Sequence, residues 1–447
     1  MRVSIIETSG LGDRSYIVSG DGVAVVIDPQ RDIDRVLAAV GDARITHVLE
    51  THVHNDYVTG GLELSRTVDA EYVVPDGENL GYSARRVVDG DTIESGSIVL
   101  RAIHTPGHTP HHVSYELRDE SGDVVGVFTG GSLLFGSTGR TDLVDEAETE
   151  ALTRAQYSSV RRLAEELPDG AAVYPTHGFG SFCSASSVDE DASTIGQQRQ
   201  RNPALTKDEQ AFVDELLTEL SAYPAYYAHM GVINSEGPAA VDLSLPEPVE
   251  ADDLRRRLES GEWVVDLRHR VAFAAGHLNG SFGFELSGSF VTYLGWLHPW
   301  GTPLTLIGED EDQIADARRE LARIGVDDIA GSADIQHVEN AVAVRSYRVA
   351  DFVALAKAIG SGEMTVLDVR QPDEFTESHV QGAVNIPLHE LIDRVNVLPV
   401  GEVWVHCASG YRASIAASIL DRHGRDVVLI DDEFDRAAEL NLTGDAR

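Results

Sequence analysis

Residues 51–57 read THVHNDY, with two histidines and one aspartate at alternating positions. The preceding run ITHVLE, at residues 45–50, predicts a buried strand that ends in this polar segment. Imidazole and carboxylate groups at such close spacing are typical of a metal-binding loop. The candidate ligands in this loop are His52, His54 and Asp56, and Tyr57 stands where a further histidine would complete a site for two metal ions.

Other histidines also follow segments that we predict to be buried strands. His108 lies in HTPGHTPHH (104–112), and His177 lies in GAAVYPTHGFGSFC (170–183). An α/β scaffold collects functional side chains in the loops that follow its strands. We therefore expect His108 and His177 to join the histidines of the 51–57 loop in one metal site.

The overall composition is that of a globular protein with several domains. The chain has 447 residues, of which 42% are hydrophobic. That length predicts two to four domains. No apolar run reaches the ~20 residues that span a bilayer, and the start MRVSIIETSG reads as a strand and not as a leader. We expect a cytoplasmic protein that does not bind membranes.

The charge is strongly acidic. Asp and Glu total 74 against 35 Lys and Arg, a net charge of −39, and the only lysines are Lys207 and Lys357. Scattered acidic residues suit a protein solvated in multimolar salt, where the Debye length falls to about 3 Å or less. We expect a halophilic host, although an acidic protein from an ordinary host is the alternative. Because the sequence has no basic patch, we expect no nucleic-acid binding.

The second half of the chain contains an internal repeat, in which WVVDLRHRVAFAAGHLNGSFGF (263–284) matches TVLDVRQPDEFTESHVQGAVNI (365–386). Each copy reads as an α/β unit of about 100 residues, a usual domain size. The proline-containing segment 237–250 reads as a linker. We predict three domains, at residues 1–240, 248–340 and 347–440. The matched pairs are Asp266 with Asp368, Arg268 with Arg370, His277 with His379 and Gly280 with Gly382.

The second copy has a cysteine where a strand meets a helix. The strand VWVH ends at Cys407, the loop CASGYR follows, and we expect a helix from about Ala413. A thiol near a helix N-terminus is stabilised as the thiolate. Backbone N–H groups of the loop make a cradle suited to an anion or a persulfide, and Arg412 is suited to an oxyanion. The candidate binding residues of the loop are Ala408, Ser409, Gly410 and Tyr411.

This loop, together with the upstream DVRQPDEFTESHVQGAVNIP, resembles the active loop and signature of the rhodanese sulfurtransferases. The resemblance implies that Cys407 accepts a sulfane sulfur as a persulfide and passes it to a thiol or to cyanide, with Arg412 in the catalytic loop. A buried, inert cysteine is the alternative, and a phosphatase loop fits less well because that family uses a longer spacing. Alignment puts Gly308 opposite Cys407, so we expect the first copy to be inactive and structural.

The first half, with its histidine pattern and the stretch TPGHT, resembles the metallo-β-lactamase superfamily. The loop FTGGSLLFGSTGRTDL is similar to that of persulfide dioxygenases and their glyoxalase II relatives, and the whole chain resembles the persulfide dioxygenase–rhodanese fusion proteins. The implied fold is an αββα sandwich followed by two rhodanese-like α/β domains. The implied activity is oxidation of a low-molecular-weight persulfide to sulfite, with sulfane sulfur carried on Cys407 and thiosulfate as a product. The resemblance also suggests a homo-oligomer.

In that family one Fe(II) is held by two histidines and a carboxylate. Here they would be His52, His108 and the aspartate of a TGD motif, but Gly131 replaces that aspartate. Loss of the carboxylate should weaken iron binding sharply. Three interpretations remain: a metal-free domain kept as a scaffold or thiol-binding module; a rearranged site, in which His54 or Asp56 becomes a ligand or water or chloride fills the gap; and histidines with no metal role.

Two further residues are of interest. Arg140 lies in the loop expected to face substrate and is suited to a carboxylate, although an ion pair with Asp142 is the alternative. Cys183 is either an acceptor thiol near the site or a buried core residue. A sulfurtransferase without dioxygenase activity remains an alternative function. A thioester hydrolase of the glyoxalase II type is disfavoured by Tyr57 and Gly131, because it needs two metals.

Overall fold

A computed structural model describes residues 1–184, 191–339, 342–359 and 364–444. The chain divides into two compact units. The first contains Met1–Asp242, Val291–Gly295 and Arg319–Val326, and the second contains Leu243–Phe290, Trp296–Arg318 and Asp327–Arg447. The predicted domain limit at residue 340 lies outside the described residues.

The first unit contains two six-stranded sheets. The first sheet has the strand order β1 (Arg2–Thr8), β2 (Asp13–Gly20), β3 (Val23–Ile27), β4 (Arg44–Leu49), β5 (Glu71–Pro75) and β6 (Arg85–Val87). The second sheet consists of β7 (Thr92–Ser95), β8 (Ile98–His104), β9 (Val113–Arg118), β10 (Val124–Gly130), β11 (Ala172–Pro175) and β12 (Ser193–Thr194), also adjacent in sequence order.

Alternation of side chains along the strands produces the layers. In β3, Val25 and Ile27 point into a core shared with Leu100, Tyr115 and Phe128 of the other sheet. Ala24 and Val26, on the opposite face, belong to a separate core with residues of the neighbouring helices. Successive side chains of a strand point to opposite faces, so a strand buried on both faces reads as a continuous apolar run.

Helices cover both outer faces. Those of the first unit are α1 (Ile33–Val40), α2 (Gly61–Val68), α3 (Thr149–Glu166), α4 (Ile195–Arg201), α5 (Pro203–Thr206), α6 (Glu209–Glu219) and α7 (Tyr227–Glu236). The first two pack on the first sheet, and α3, α4 and α6 pack on the second. The αββα sandwich expected from the sequence is confirmed.

The elements of the second half, in chain order, are α8 (Ala251–Ser260), β13 (Trp263–Asp266), α9 (Arg270–Ala275), β14 (His277–Leu278), β15 (Phe282–Gly283), α10 (Phe290–Leu297), β16 (Leu304–Gly308), α11 (Glu311–Arg323), β17 (Ile329–Asp334), α12 (Ile335–Val338), β18 (Val344–Arg345), β19 (Arg348–Ala350), α13 (Phe352–Ala358), β20 (Met364–Asp368), α14 (Pro372–Glu377), β21 (His379–Val380), β22 (Val384–Asn385), α15 (Leu388–Arg394), β23 (Glu402–His406), α16 (Tyr411–Arg422), β24 (Asp426–Ile430), α17 (Asp435–Glu439) and β25 (Thr443–Gly444). Among its described residues, the second unit contains two larger parallel sheets, with orders β15–β13–β16–β17 and β19–β24–β23–β20–β22, and two antiparallel pairs, β14–β18 and β21–β25.

The repeat seen in the sequence is a structural repeat. Arg268 donates to both oxygens of Asp266 and to the carbonyl of Gly276, and Arg370 makes the equivalent bonds to Asp368 and to the carbonyl of Ser378. Each histidine of the repeat stacks on the phenylalanine four residues before it, with ring centroids 4.1 Å apart for His277 and 4.0 Å apart for His379. The two copies therefore share an ion-pair and stacking framework as well as a strand order.

Among the described residues, no helix combines the length and the apolar character needed to cross a membrane.

Candidate functional site

The Cys407 loop lies where a parallel strand meets a helix. β23 ends at His406, Cys407 follows directly, and α16 begins at Tyr411, two residues earlier than predicted. The first N–H groups of a helix have no partner within the helix and carry its positive partial charge. Cys407 is 2% exposed. The loop thus places a sheltered thiol beside a helix N-terminus.

Gly410 allows the sharp turn of this loop. Its φ of 89° is in the left-handed region, which residues with a Cβ rarely adopt. A Cβ on Gly410 would lie 2.1 Å from Oδ1 of Asp431. Both the backbone conformation and the close approach of this carboxylate therefore require glycine here.

Arg412 makes a two-pronged ion pair with Glu374. Its Nη1 donates to Oε2 at 2.6 Å and its Nη2 donates to Oε1 at 2.8 Å. Burial raises the pKa of the Glu374 carboxyl, but the hydrogen bonds and charge of Arg412 outweigh this and lower it below its usual value. The guanidinium is thus already bound to an anionic group within the protein, and its predicted contact with a substrate oxyanion stays a prediction.

The cysteine-free copy contacts the flank of this loop. Strand pairing makes Gly308 equivalent to Cys407, because Ile307 pairs with Asp266 as His406 pairs with Asp368. Arg270 of this copy donates from Nε to Oδ1 of Asp431 at 2.6 Å and from Nη1 to Glu285 at 2.7 Å. The hydroxyl of Tyr411 donates to the carbonyl of Glu285 at 3.0 Å. These bonds join the cysteine-free copy to the segment beside Cys407, and the inactivity expected for this copy stays a prediction.

The second candidate site is the predicted histidine cluster of the first unit. His52, His54 and Asp56 follow β4, His108 follows β8, and His177 follows β11. All five side chains are at most 1% exposed. Nε2 of His52 lies 3.3 Å from Nε2 of His177, and the ring centroids of His52 and His108 are 4.8 Å apart. The structure therefore brings together the four histidines that the sequence predicted as metal ligands.

Two aspartates flank His177. Its Nδ1 lies 2.9 Å from Oδ1 of Asp13 and 3.0 Å from Oδ2 of Asp56. Burial disfavours the imidazolium, but the charge of Asp56 and the hydrogen bonds to both aspartates raise the pKa of His177 to about 10. The Asp56–His177 half-site expected from the sequence is thus internally neutralised.

His54 has a similar acidic environment. Its Nε2 lies 3.0 Å from Glu50 and 3.3 Å from Asp28. Burial lowers the pKa of His54, but Asp28 and Glu50 outweigh it and raise the pKa to about 9. The hydroxyl of Tyr57 contacts the same Nε2 at 3.0 Å and donates to the carbonyl of Asp28. Tyr57 therefore fills the position that a second-site histidine would occupy.

His52 and His108 are held as neutral imidazoles. Burial and the neighbouring histidines lower both pKa values, that of His108 to about 3. Nδ1 of His52 contacts the Thr51 hydroxyl at 2.8 Å, and Nδ1 of His108 lies 2.7 Å from the carbonyl of Arg140. Because a carbonyl only accepts, Nδ1 of His108 carries the proton and Nε2 carries the lone pair.

The described residues do not fit the iron triad that the family resemblance implies. Gly131 provides no side chain, and a Cβ there would lie 2.1 Å from Cδ2 of His108. The His108 ring thus occupies the space that the side chain of an aspartate would need. Three ligand atoms of the cluster nevertheless have no hydrogen-bond partner among the described residues: Nδ1 of His54, Oδ1 of Asp56 and Nε2 of His108.

Known proteins resemble both halves of the chain. A family model of the metallo-beta-lactamase superfamily matches residues 11–177, and one of the rhodanese-like domain matches residues 351–438. The mitochondrial persulfide dioxygenase of Bos taurus is 31% identical over 244 residues, which cover 53% of this chain and 80% of the bovine protein. The chain belongs to the metallo-β-lactamase superfamily. Its predicted architecture, with a rhodanese-like domain at the C-terminal end, is confirmed.

Two other proteins extend this result. The mitochondrial persulfide dioxygenase of Homo sapiens is 29% identical over 247 residues, which cover 55% of this chain and 83% of that protein. The crystal structure of a metallo-β-lactamase from Staphylococcus aureus matches with a TM-score of 0.67 and 30% identity, and covers 74% of this chain and 98% of that chain.

Sequence reasoning missed several residues of the metallo-β-lactamase site. His112 stacks on His52 with centroids 5.0 Å apart, and its Nε2 accepts from the backbone N–H of Gly131 at 3.1 Å. The acidic partners Asp13, Asp28 and Glu50 were also missed. Asp28, at the end of VAVVID, has a φ of 50°, which is unusual for a non-glycine residue. Its place after a buried strand was the available signal.

Arg140 and Cys183 lie beside the cluster in this domain. Arg140 is 3% exposed and donates to both carboxylate oxygens of Asp142 at 2.7 Å. The ion pair that the sequence left as an alternative is thus present, and a substrate contact of Arg140 stays a prediction. Cys183 is fully buried, and burial together with Asp56 raises the pKa of its thiol.

A cavity of about 380 Å³ lies against the two histidine loops. Val53 and Asn55, which alternate with His52 and His54, contribute to its wall, as does Thr109, which follows His108. Tyr227 and Val232 of α7 line another side. Ligand pockets commonly measure ~300–1,000 Å³, so this cavity is large enough for a small thiol.

Proposed function

We propose that this chain is an enzyme of sulfur metabolism that transfers sulfane sulfur through Cys407. The observation that carries the proposal is the placement of Cys407 between β23 and the N-terminus of α16, within the segment that matches the rhodanese-like model. The sulfur-metabolism setting is further supported by the similarity of the first half to proteins named persulfide dioxygenases.

In the proposed reaction the Cys407 thiolate attacks the outer sulfur of thiosulfate. A bond forms between Sγ and that sulfur, the S–S bond of thiosulfate breaks, and sulfite leaves with the electron pair. An acceptor thiolate or cyanide then attacks the outer sulfur of the Cys407 persulfide, and the Cys407 thiolate leaves. N–H groups at the start of α16 stabilise the negative charge on sulfur, and Arg412 is the proposed contact for the sulfonate oxygens.

Mass spectrometry tests this covalent step directly. Incubation with thiosulfate should add the mass of one sulfur atom to the peptide that contains Cys407, and later addition of cyanide should remove it. An unchanged peptide, despite turnover of thiosulfate, would contradict the proposal.

Glu374 competes with an anionic substrate for Arg412, so Glu374→Gln should lower the KM for thiosulfate. A partly buried pair close to the surface is worth up to about 1 kcal/mol, which predicts a decrease of up to about fivefold in KM. Because the pKa of Glu374 is lowered, the pair contributes stability above the ordinary pKa of a Glu carboxyl, and this contribution is lost as the pH falls. Steady-state kinetics at neutral pH measures the change in the KM for thiosulfate. Glu377→Gln, an exposed neighbour on α14, is the matched control, and an equal KM in both variants would exclude the competition.

Arg270 of the cysteine-free copy should act as a positioning residue for the Cys407 loop. Arg270→Ala removes the ion pair of Asp431, the carboxylate that approaches Gly410. We expect kcat for sulfur transfer to fall by up to about fivefold, equivalent to about 1 kcal/mol, with little change in the KM for cyanide. Arg256→Ala, which removes an exposed ion pair with Asp253 of the same copy, is the control. Equal kcat values for the two variants would show that the contact has no role in transfer.

A second candidate function is persulfide dioxygenase activity of the metallo-β-lactamase domain with Fe(II). It is favoured by the similarity to the bovine and human enzymes and by the unpartnered Nε2 of His108. The missing carboxylate at residue 131 speaks against it. Iron analysis combined with O2 uptake on a low-molecular-weight persulfide decides between this function and sulfur transfer alone. Thioester hydrolysis is less favoured, because Tyr57 fills the second-metal position.

The domain limits at 1–240, 248–340 and 347–440, the halophilic host, the cytoplasmic location and the homo-oligomeric state belong to the same proposal. The partners proposed are a low-molecular-weight thiol or persulfide and thiosulfate or sulfite.

A further inference from the structure

The metallo-β-lactamase domain keeps a buried sulfur donor close to its histidines. His108, His177 and Cys183 each offer one ligand atom, and these three atoms lie within 4.8 Å of one another. All three side chains are fully buried. The chain has only one other cysteine, Cys407, which lies in the second unit. The sulfur transfer proposed above uses Cys407 and assigns no step to Cys183.

A short backbone connection holds Cys183 beside His108. The N–H of Arg140 donates to the carbonyl of Cys183 at 2.9 Å, and Gly139 pairs with Ser184 as an antiparallel bridge. The carbonyl of the same Arg140 accepts from Nδ1 of His108 at 2.7 Å. One residue thus links the thiol and the imidazole, so their proximity is built into the loop and does not depend on long side chains.

His108 directs an unused lone pair into the buried cluster. Its Nδ1 is the donor, so Nε2 is a bare acceptor, and Nε2 has no hydrogen-bond partner among the described residues. Leaving a buried acceptor unpaired costs about 1–3 kcal/mol. His112, from the same segment, differs in that its Nε2 accepts from Gly131. The unpaired Nε2 of His108 therefore indicates a ligand position.

His177 has the surroundings of a metal-bound histidine. Asp13 and Asp56 both lie within 3.0 Å of its Nδ1. Carboxylates behind a ligating imidazole orient the ring and increase its basicity. Asp56 thus contacts His177 through Oδ2, and its Oδ1 has no hydrogen-bond partner among the described residues. The aspartate that the family resemblance implies at residue 131 is missing, because this chain has Gly131 there.

We propose that Cys183, as a thiolate, supplies this missing anionic ligand, and that His108, His177 and Cys183 bind one divalent ion of the zinc class. Binding releases the thiol proton to solvent. Imidazole and thiolate ligands suit zinc and cobalt better than the oxygen-rich sets that harder ions prefer. Three protein ligands leave one coordination position for water or substrate.

Cobalt spectroscopy of the full-length Cys407→Ser variant tests the proposal. Cys183 is then the only thiol of the chain, so a thiolate-to-cobalt charge-transfer band in the near ultraviolet can come only from Cys183. We expect this band to reach its maximum at one equivalent of Co²⁺. Cobalt binding without the band, or no binding, would overturn the proposal.

Chelator competition with Zn²⁺ gives a second measurement. We expect Cys183→Ser and His108→Gln each to weaken binding by more than about 100-fold, since even outer-shell partners are worth about 10–100-fold. His104→Gln, an exposed histidine at the end of β8, should bind Zn²⁺ as the unmodified protein does. Circular dichroism of the metal-free variants checks folding, and if Cys183→Ser does not fold, the spectrum of Cys407→Ser decides. Equal Zn²⁺ affinity in folded Cys183→Ser contradicts the proposal.

Discussion

Cys407→Ser is expected to reduce thiosulfate-to-cyanide sulfur transfer by about 10³-fold or more, because the serine hydroxyl cannot carry the sulfane sulfur. The substitution changes one buried atom at the end of β23, so the fold should be retained. Formation of thiocyanate measures the rate, and thermal unfolding checks the fold.

Cys183→Ser distinguishes loss of this nucleophile from loss of any thiol. Cys183 lies in the first unit, and we expect its replacement to leave sulfur transfer intact. If Cys407→Ser kept its activity while Cys183→Ser lost it, the assignment of the nucleophile would be wrong. If both variants kept activity, Cys407 would not be required for transfer.

Gly131→Asp is expected to destabilise the metal-free protein strongly and to make its stability depend on metal. The new Cβ would lie 2.1 Å from the His108 ring, and the carboxylate would be buried. Overpacking and burial of a polar group together predict a loss of about 2–5 kcal/mol. Added Fe(II) should then restore stability if the His108 ring shifts aside, because the new carboxylate would join His52 and His108 in the triad that the family resemblance implies. At 100 times Kd the gain is about 2.7 kcal/mol.

Gly131→Ala is the matched control, since it introduces the same Cβ without a carboxylate. The backbone of Gly131 is outside the left-handed region, so neither substitution strains the backbone. The two variants share the steric effect of the new Cβ, and only Gly131→Asp adds a carboxylate. Both are compared in a Cys183→Ser background by thermal unfolding with and without Fe(II). A metal-dependent gain in Gly131→Asp alone supports residue 131 as the lost ligand position. The same gain in both variants would refute it.

Local patterns made much of the molecule predictable. The spacing within THVHNDY, the match between 263–284 and 365–386, and the position of Cys407 after a strand all depend on neighbours in sequence. Residues that are close in sequence are placed in the same loop, or at the same end of a strand, by local backbone geometry, whatever the rest of the fold is. Helix limits were less accurate, because the αL conformation of Gly410 caps α16 at a residue that propensity does not identify.

The occupants of the histidine site were less predictable. The sequence showed that a carboxylate is absent at residue 131, but it did not show that the His108 ring takes the space. The sequence identified Tyr57 as the residue that replaces a second-site histidine. The structure adds that the Tyr57 hydroxyl contacts Nε2 of His54 and the carbonyl of Asp28. A side chain's contacts depend on what the neighbouring loops bring to it, and a single sequence does not contain that information.

The sequence by itself determined the order of the domains and the positions of the clustered histidines, of Cys407 after a strand and of glycine at residue 131. The tertiary structure alone decided which carboxylates lie beside His54 and His177 and which residues surround the two thiols. Asp13 reaches His177 across 164 residues, and Arg270 reaches Asp431 across 161. Such contacts depend on strand register and loop packing between distant segments, and because charge interactions act through space, sequence spacing does not predict them.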